Sequence, residues 1–139
     1  MIVAAGNKEL EATLAATPLF GQTSSKQRKA LAKAGKLLSW AEGKKGVEEG
    51  SKAAAFFLIL DGSVQIDKGG TPVARLREGD FFGETALLSG GARTASVTAT
   101  TDTQLFALGR PAFRSLVQND PSLALAVMKA MADRASAGS

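Results

Sequence analysis

The sequence predicts an α+β protein, mainly β, whose strand-rich centre is bracketed by helices. Three observations carry this. From residue 37 to residue 108 the chain breaks into short apolar runs divided by glycine turns, at the eight-to-twelve-residue intervals of a small sandwich or barrel-like β structure. Before that stretch, residues 8–35 repeat their apolar positions at helical spacing, and from Pro111 that spacing returns. At 139 residues the chain is one domain, 1–139, long enough to bury a core without disulfide staples.

Residues 8–16 form a first helix with Leu10 and Leu14 on one face, ended by Thr17-Pro18 because the residue before proline avoids helical angles. Ser24 and Ser25 offer caps for a second helix running to Ala34, which Gly35 closes from the C′ position. The β region covers residues 36–109. Strands are expected at 37–40, 55–60, 64–67, 73–76, 96–100 and 104–108, punctuated by Gly43, Gly46, Gly50, Asp61-Gly62, Gly69-Gly70 and Gly79-Asp80. Asp61-Gly62, between two apolar runs, is the clearest hairpin signal.

Two C-terminal helices are expected within residues 111–135. Phe113, Leu116 and Val117 share a face of the first. Asn119-Asp120-Pro121 then marks a new start, with Asp120 as N-cap and Pro121 in the first helical position. The helix from residue 121 to 135 is apolar around most of its circumference, through Leu123, Leu125, Val127, Met128 and Met131, and only Lys129, Asp133 and Arg134 clearly want water. So wide an apolar surface needs cover from the β core, a ligand or another chain.

Composition narrows the function. The chain has no cysteine, so disulfides and thiolate metal sites are excluded. It has no histidine and no tyrosine either, which removes the commonest acid/base and metal-ligand side chains, and no enzyme or metal site is expected. The net charge of +4 comes largely from Lys26, Arg28, Lys29, Lys33 and Lys36, with Lys44 and Lys45 nearby. Neither interleaved aromatics nor a recognition helix accompanies that cluster, so it reads as a solvated face and no nucleic-acid partner is expected. The longest uninterrupted apolar run, residues 53–60, is far short of the roughly 20 residues of a membrane helix. Met1 begins an apolar stretch that Asn7, Lys8 and Glu9 end at once, without a secretory cleavage pattern, which makes a cytoplasmic protein the default.

The stretch from Phe82 to Val97, Phe-Gly-Glu-Thr-Ala-Leu-Leu-Ser-Gly-Gly-Ala-Arg-Thr-Ala-Ser-Val, carries the chemistry. Gly83 permits a sharp turn and a close backbone approach to a ligand. The residues after it can make little more than one helical turn, whose first amides have no internal partner and attract an anion. Nine residues after Glu84, beyond a glycine-rich loop, Arg93 can add a bidentate fork to the same anion. Glu84 repels a phosphate, so its natural target is a neutral donor such as a ribose hydroxyl. Singly, a glutamate at a helix start is a dipole or capping effect and a lone arginine is a surface ion pair. Together at this spacing they suit a sugar phosphate carrying one negative charge.

These residues resemble, almost position by position, the phosphate-binding cassette of the cyclic-nucleotide-binding domain family. That family includes the sensor domain of the catabolite activator protein, the regulatory subunits of cyclic-nucleotide-dependent kinases, and channel domains. Gly43 to Gly50 and the run Phe57-Leu58-Ile59-Leu60-Asp61-Gly62-Ser63-Val64 resemble the family's early strands and their hairpin. The resemblance implies an eight-stranded antiparallel β-roll, jelly-roll-like, with helices at both ends. It also implies a ligand, cAMP or cGMP, and no cofactor. Gly83 and Glu84 would hold the ribose 2′-hydroxyl. Arg93, with amides of the Thr85-Ala86 turn and of Thr94-Ala95, would hold the cyclic phosphate. Phe82, Leu87, Leu88 and Val97 would form the apolar wall and hinge beside it. Thr94 supplies a hydroxyl of the kind cGMP responders use, but cAMP-preferring members carry it too, and cAMP is favoured here. Val127, Met128 or Met131 is the candidate cap over the base.

The resemblance implies a sensor whose C-terminal helices shift on binding and report to an effector. No helix-turn-helix, kinase, channel or acyltransferase motif accompanies it, so the domain either stands alone or belongs to a larger protein. The alternative reading keeps the same fold as a scaffold that binds no nucleotide and uses its apolar last helix for docking or homodimerisation.

Overall fold

Eight strands occur among the described residues of the computed structural model, which are 7–17, 20–50, 55–83 and 95–137. They are β1 (Lys36–Trp40), β2 (Lys45–Val47), β3 (Ala55–Asp61), β4 (Ser63–Lys68), β5 (Thr71–Arg77), β6 (Phe81–Phe82), β7 (Ser96–Ala99) and β8 (Thr103–Gly109). All pair antiparallel, in two four-stranded sheets of order β1-β8-β3-β6 and β2-β7-β4-β5. The fold is thus α+β, mainly β, an eight-stranded antiparallel roll with helices before and after it in the chain.

β3 shows why the centre is strand. Its run Phe56-Phe57-Leu58-Ile59-Leu60 is apolar without alternation, the pattern of a strand covered on both faces, and all five residues are buried. Phe57 and Ile59 point into a cluster with Trp40, Val47, Val64, Phe82, Val97, Ala99 and Leu105, drawn from both sheets, which is therefore the inside of the roll. The alternate residues Phe56 and Leu58 are buried on the other face of the same sheet.

Six strands lie where the apolar runs place them, to within two residues. β2 and β6 are not visible as runs, being three residues with a central glycine and two residues respectively. Pairing makes them strands: Val47 aligns with Val97, and Phe81 and Phe82 with Leu58 and Phe57.

The hairpin expected at Asp61-Gly62 is not one. β3 and β4 belong to different sheets, so Gly62 is the corner at which the chain leaves one sheet for the other. It has φ +97°, and a Cβ there would meet the Asp102 carbonyl oxygen and the Thr103 hydroxyl, both at 2.6 Å. The tight hairpin lies one strand later. Lys68 pairs with Thr71 across Gly69-Gly70, both at positive φ (56° and 82°), the type I′ turn whose twist suits the flanking strands.

The helices form a compact unit of their own, separate from the β unit of residues 35–110. They are α1 (Asn7–Ala15), α2 (Ser25–Ala34), α3 (Arg110–Asn119) and α4 (Pro121–Ala137). α1 buries Leu10 and Leu14 and packs against α2. Thr17 turns the chain after α1, its hydroxyl donating to the Leu14 carbonyl at 2.7 Å and accepting from the Phe20 amide at 3.3 Å. Ser24 is the N-cap of α2, and Asp120 caps α4 with Pro121 in its first position.

Gly35 follows α2 but is not a left-handed C′ residue, since its φ is not positive. It is required instead by proximity: a Cβ there would lie 2.3–2.4 Å from the Phe106 ring. α4 is also less uniformly covered than its composition suggests. Leu123 and Val127 are buried, whereas Leu125 and Met128 are 68 % and 50 % exposed.

Candidate functional site

Of the residues expected to bind ligand, Glu84, Thr85, Ala86, Leu87, Leu88, Arg93 and Thr94 lie outside the described residues. The frame that holds them is described on both sides. On one side β6 ends at Phe82, whose ring stacks on Phe57 with centroids 5.0 Å apart and 19° between planes, and lies 6.1 Å from Trp40. Phe82 and Phe57 are also register partners, so the end of β6 is fixed by both backbone pairing and ring contact. Gly83 follows at once with φ +79°, a backbone angle that side-chain-bearing residues rarely adopt.

On the other side Ala95, half-buried, leads into β7. Val97 is buried, with register partners on both neighbours, Val47 on β2 and Ile66 on β4. Ser96 is fixed by more than its partner Asp67. Its Oγ accepts the Glu49 amide at 3.0 Å, and the Glu49 carboxylate in turn accepts the Gly69 amide of the β4–β5 hairpin at 2.9 Å.

Residues 83–95 therefore leave from an edge strand of one sheet and return to an interior strand of the other. Phe82, Gly83, Ala95 and Val97 are the described members of the predicted set, and the fold places them at the two ends of that span. Ser96 and Glu49 were not singled out from sequence. Ser96 reads only as a strand start, and Glu49 only as a charge in a short loop, because the bond between them joins segments 47 residues apart.

An open recess of about 490 Å³ lies elsewhere in the β unit, lined by Ser39, Trp40, Ala41, Asp61, Asp102, Thr103 and Gln104. Among the described residues its ionisable side chains are both carboxylates, the wrong sign for a phosphate, and none of the described members of the predicted set lines it. Among the described residues no group of three or more metal-ligating side chains is placed to hold a metal ion. Among them, too, no helix is long and apolar enough to cross a membrane.

The architecture defines a class first: an antiparallel β-roll preceded and followed in the chain by helices, with Gly83 at positive φ directly after β6. The family model for the cyclic nucleotide-binding domain matches residues 38–120, more than half of the chain, and the chain belongs to that family. It is 38 % identical over 109 residues to a cAMP-dependent protein kinase regulatory subunit of Aspergillus fumigatus, a match covering 77 % of this chain and 26 % of the relative. It is 36 % identical over 72 residues to a cGMP-dependent protein kinase of Caenorhabditis briggsae, covering 52 % of this chain and 10 % of that one. Among solved structures, the catabolite activator protein of Thermus thermophilus superimposes with a TM-score of 0.76 at 28 % identity, covering 88 % of this chain and 60 % of that one. The chain spans about a quarter of the length of the kinase regulatory subunit it matches.

Proposed function

We propose that this chain is a regulatory module that binds a cyclic nucleotide, cAMP in preference to cGMP, and catalyses no reaction. The observation that carries the reading is the motif from Phe82 to Val97 in a member of this family, its first residue on a strand of one sheet and its last on a strand of the other. Glu84 and the Gly83 backbone hold the ribose 2′-hydroxyl. Arg93 and the amides of the Thr85-Ala86 turn and of Thr94-Ala95 hold the cyclic phosphate, each charged hydrogen bond contributing about 1.5–3 kcal/mol once water is excluded. Leu87 and Leu88 couple the filled site to the C-terminal helices, and the ligand acts by favouring one arrangement of those helices over another.

The preference for cAMP is supported by the Aspergillus relative, and Thr94 is the residue on which the alternative base would act. Of the candidate caps over the base, Val127 is buried, half-exposed Met128 is the freer of the two described, and the Met131 side chain lies outside the described residues. The module works in the cytoplasm, alone or as the cytosolic part of a larger protein, and passes its state to an effector protein.

Calorimetry with cAMP and cGMP tests this directly. The wild type is expected to bind cAMP more tightly, and Arg93→Ala to weaken binding by about 2–5 kcal/mol, the usual cost of removing one partner of a buried charged pair. Unchanged affinity in Arg93→Ala would remove the proposed site. At 100 times its dissociation constant the ligand also adds about 2.7 kcal/mol to stability, visible as a raised melting temperature.

A second reading has its own observation. Leu125 and Met128, three residues apart on α4 and largely exposed, form the kind of apolar strip that a docking or homodimer interface covers. Under it the chain is a scaffold, neither nucleotide moves the melting temperature, and apparent mass rises with concentration until Leu125→Lys abolishes the rise.

A further inference from the structure

Gln27 serves two helices at once. Its backbone amide donates to Ser24 Oγ at 3.1 Å and its Oε1 accepts the Ser24 amide at 2.9 Å, the reciprocal pair of a capping box at the start of α2. Its Nε2 donates to Asp120 Oδ2 and to Ser122 Oγ, both at 2.9 Å. Those two residues build the cap of α4: Asp120 Oδ1 accepts the Ser122 amide at 3.2 Å and the Ser122 hydroxyl at 2.5 Å. Asp120 is held ionised, its pKa lowered by the Ser122 hydroxyl first and the Gln27 amide second, so it offers a full carboxylate to the Gln27 donors.

The choice of side chain matters. A capping box accepts glutamate as readily as glutamine, because only the acceptor oxygen is used. Only the amide also brings two donors in a fixed plane. Here the oxygen closes one helix and the nitrogen grips the cap of another, 93 residues away in sequence. Both helices belong to the same compact unit.

We propose that Gln27 is a latch that makes the N-terminal caps of α2 and α4 a single cooperative element. The start of α4 cannot leave its place without breaking both Gln27 donor bonds or carrying the start of α2 with it. The latch goes beyond the ligand reading and needs no ligand. Where α4 is displaced by one, the latch carries that displacement to the N-terminal helices.

Amide exchange measured by NMR on the full chain tests the proposal, with Gln27→Glu, Gln27→Ala and Asp120→Ala. Gln27→Glu keeps the capping box but cannot donate to a carboxylate. It is expected to speed residues 123–126 about two- to tenfold, the span that one ordinary hydrogen bond corresponds to, and to speed residues 28–30 too, but less than Gln27→Ala does, because the capping box survives. Gln27→Ala is expected to speed both segments. Asp120→Ala, on the other helix, is expected to speed residues 28–30 as well as its own. Exchange is read relative to β3, so that a general loss of stability, which speeds every segment together, does not pass for uncoupling. If Gln27→Glu leaves residues 123–126 as protected as in the wild type, or Asp120→Ala leaves residues 28–30 unchanged, the latch is overturned.

Discussion

Gly35 and Ser96 show how much one position depends on a segment far from it. Gly35 sits where a helix C-terminus in sequence suggests a left-handed glycine, yet what excludes a side chain is the Phe106 ring at 2.3 Å from the place of its Cβ. Gly35→Ala must push a fully buried ring in a packed core, an overpacking cost of about 1–3 kcal/mol. Urea denaturation is expected to show a lower midpoint with an unchanged slope. Ser96→Ala deprives the Glu49 amide of its acceptor at the start of β7. On the ligand reading it weakens nucleotide binding by less than Arg93→Ala does, and Ser96→Thr, which keeps the hydroxyl, restores it. An Ser96→Ala variant that binds as tightly as the wild type would show that this bond does not position the loop.

At the scale of elements, turns and caps carry the testable consequences. The Gly69-Gly70 hairpin is a type I′ turn with open space around both glycines. Gly69, at φ +56°, can become asparagine at little conformational cost, because Asn-Gly is the preferred pair for this turn. Gly69→Asn is expected to hold or raise the melting temperature, by up to about 1 kcal/mol gained through a less flexible unfolded chain. Gly70→Val, β-branched at φ +82°, is expected to lower it. The α4 cap makes a pH prediction. The folded-state pKa of Asp120 is depressed, so its contribution is fully present above the unfolded carboxylate value of about 3.9 and is lost as pH falls through the folded value. The stability difference between wild type and Asp120→Ala is therefore expected to be constant from pH 7 down to about 5 and to shrink below 4.

Over the whole molecule, local patterns and long-range pairing divided the outcome. Bulk composition and periodicity determined the class: helices at both ends, a strand-rich centre, no histidine or cysteine chemistry, and a motif from Phe82 to Val97 specific enough to name the family that the comparisons support. These are legible because apolar period, capping residues and cassette spacing are all local in sequence. Ser24 and Asp120 were readable as caps for the same reason, each accepting an amide within three residues of itself. Tertiary structure alone decided that Asp61-Gly62 is a corner between sheets and that Gly69-Gly70 is the tight hairpin, since both depend on which strand pairs with which. It alone made strands of β2 and β6, too short to show a period. It also buried Leu123 and Val127 of α4 while leaving Leu125 and Met128 exposed, and joined Gln27 to Asp120. The physical reason is common to all of these: they are set by contacts between residues tens of positions apart, whose geometry no local pattern encodes.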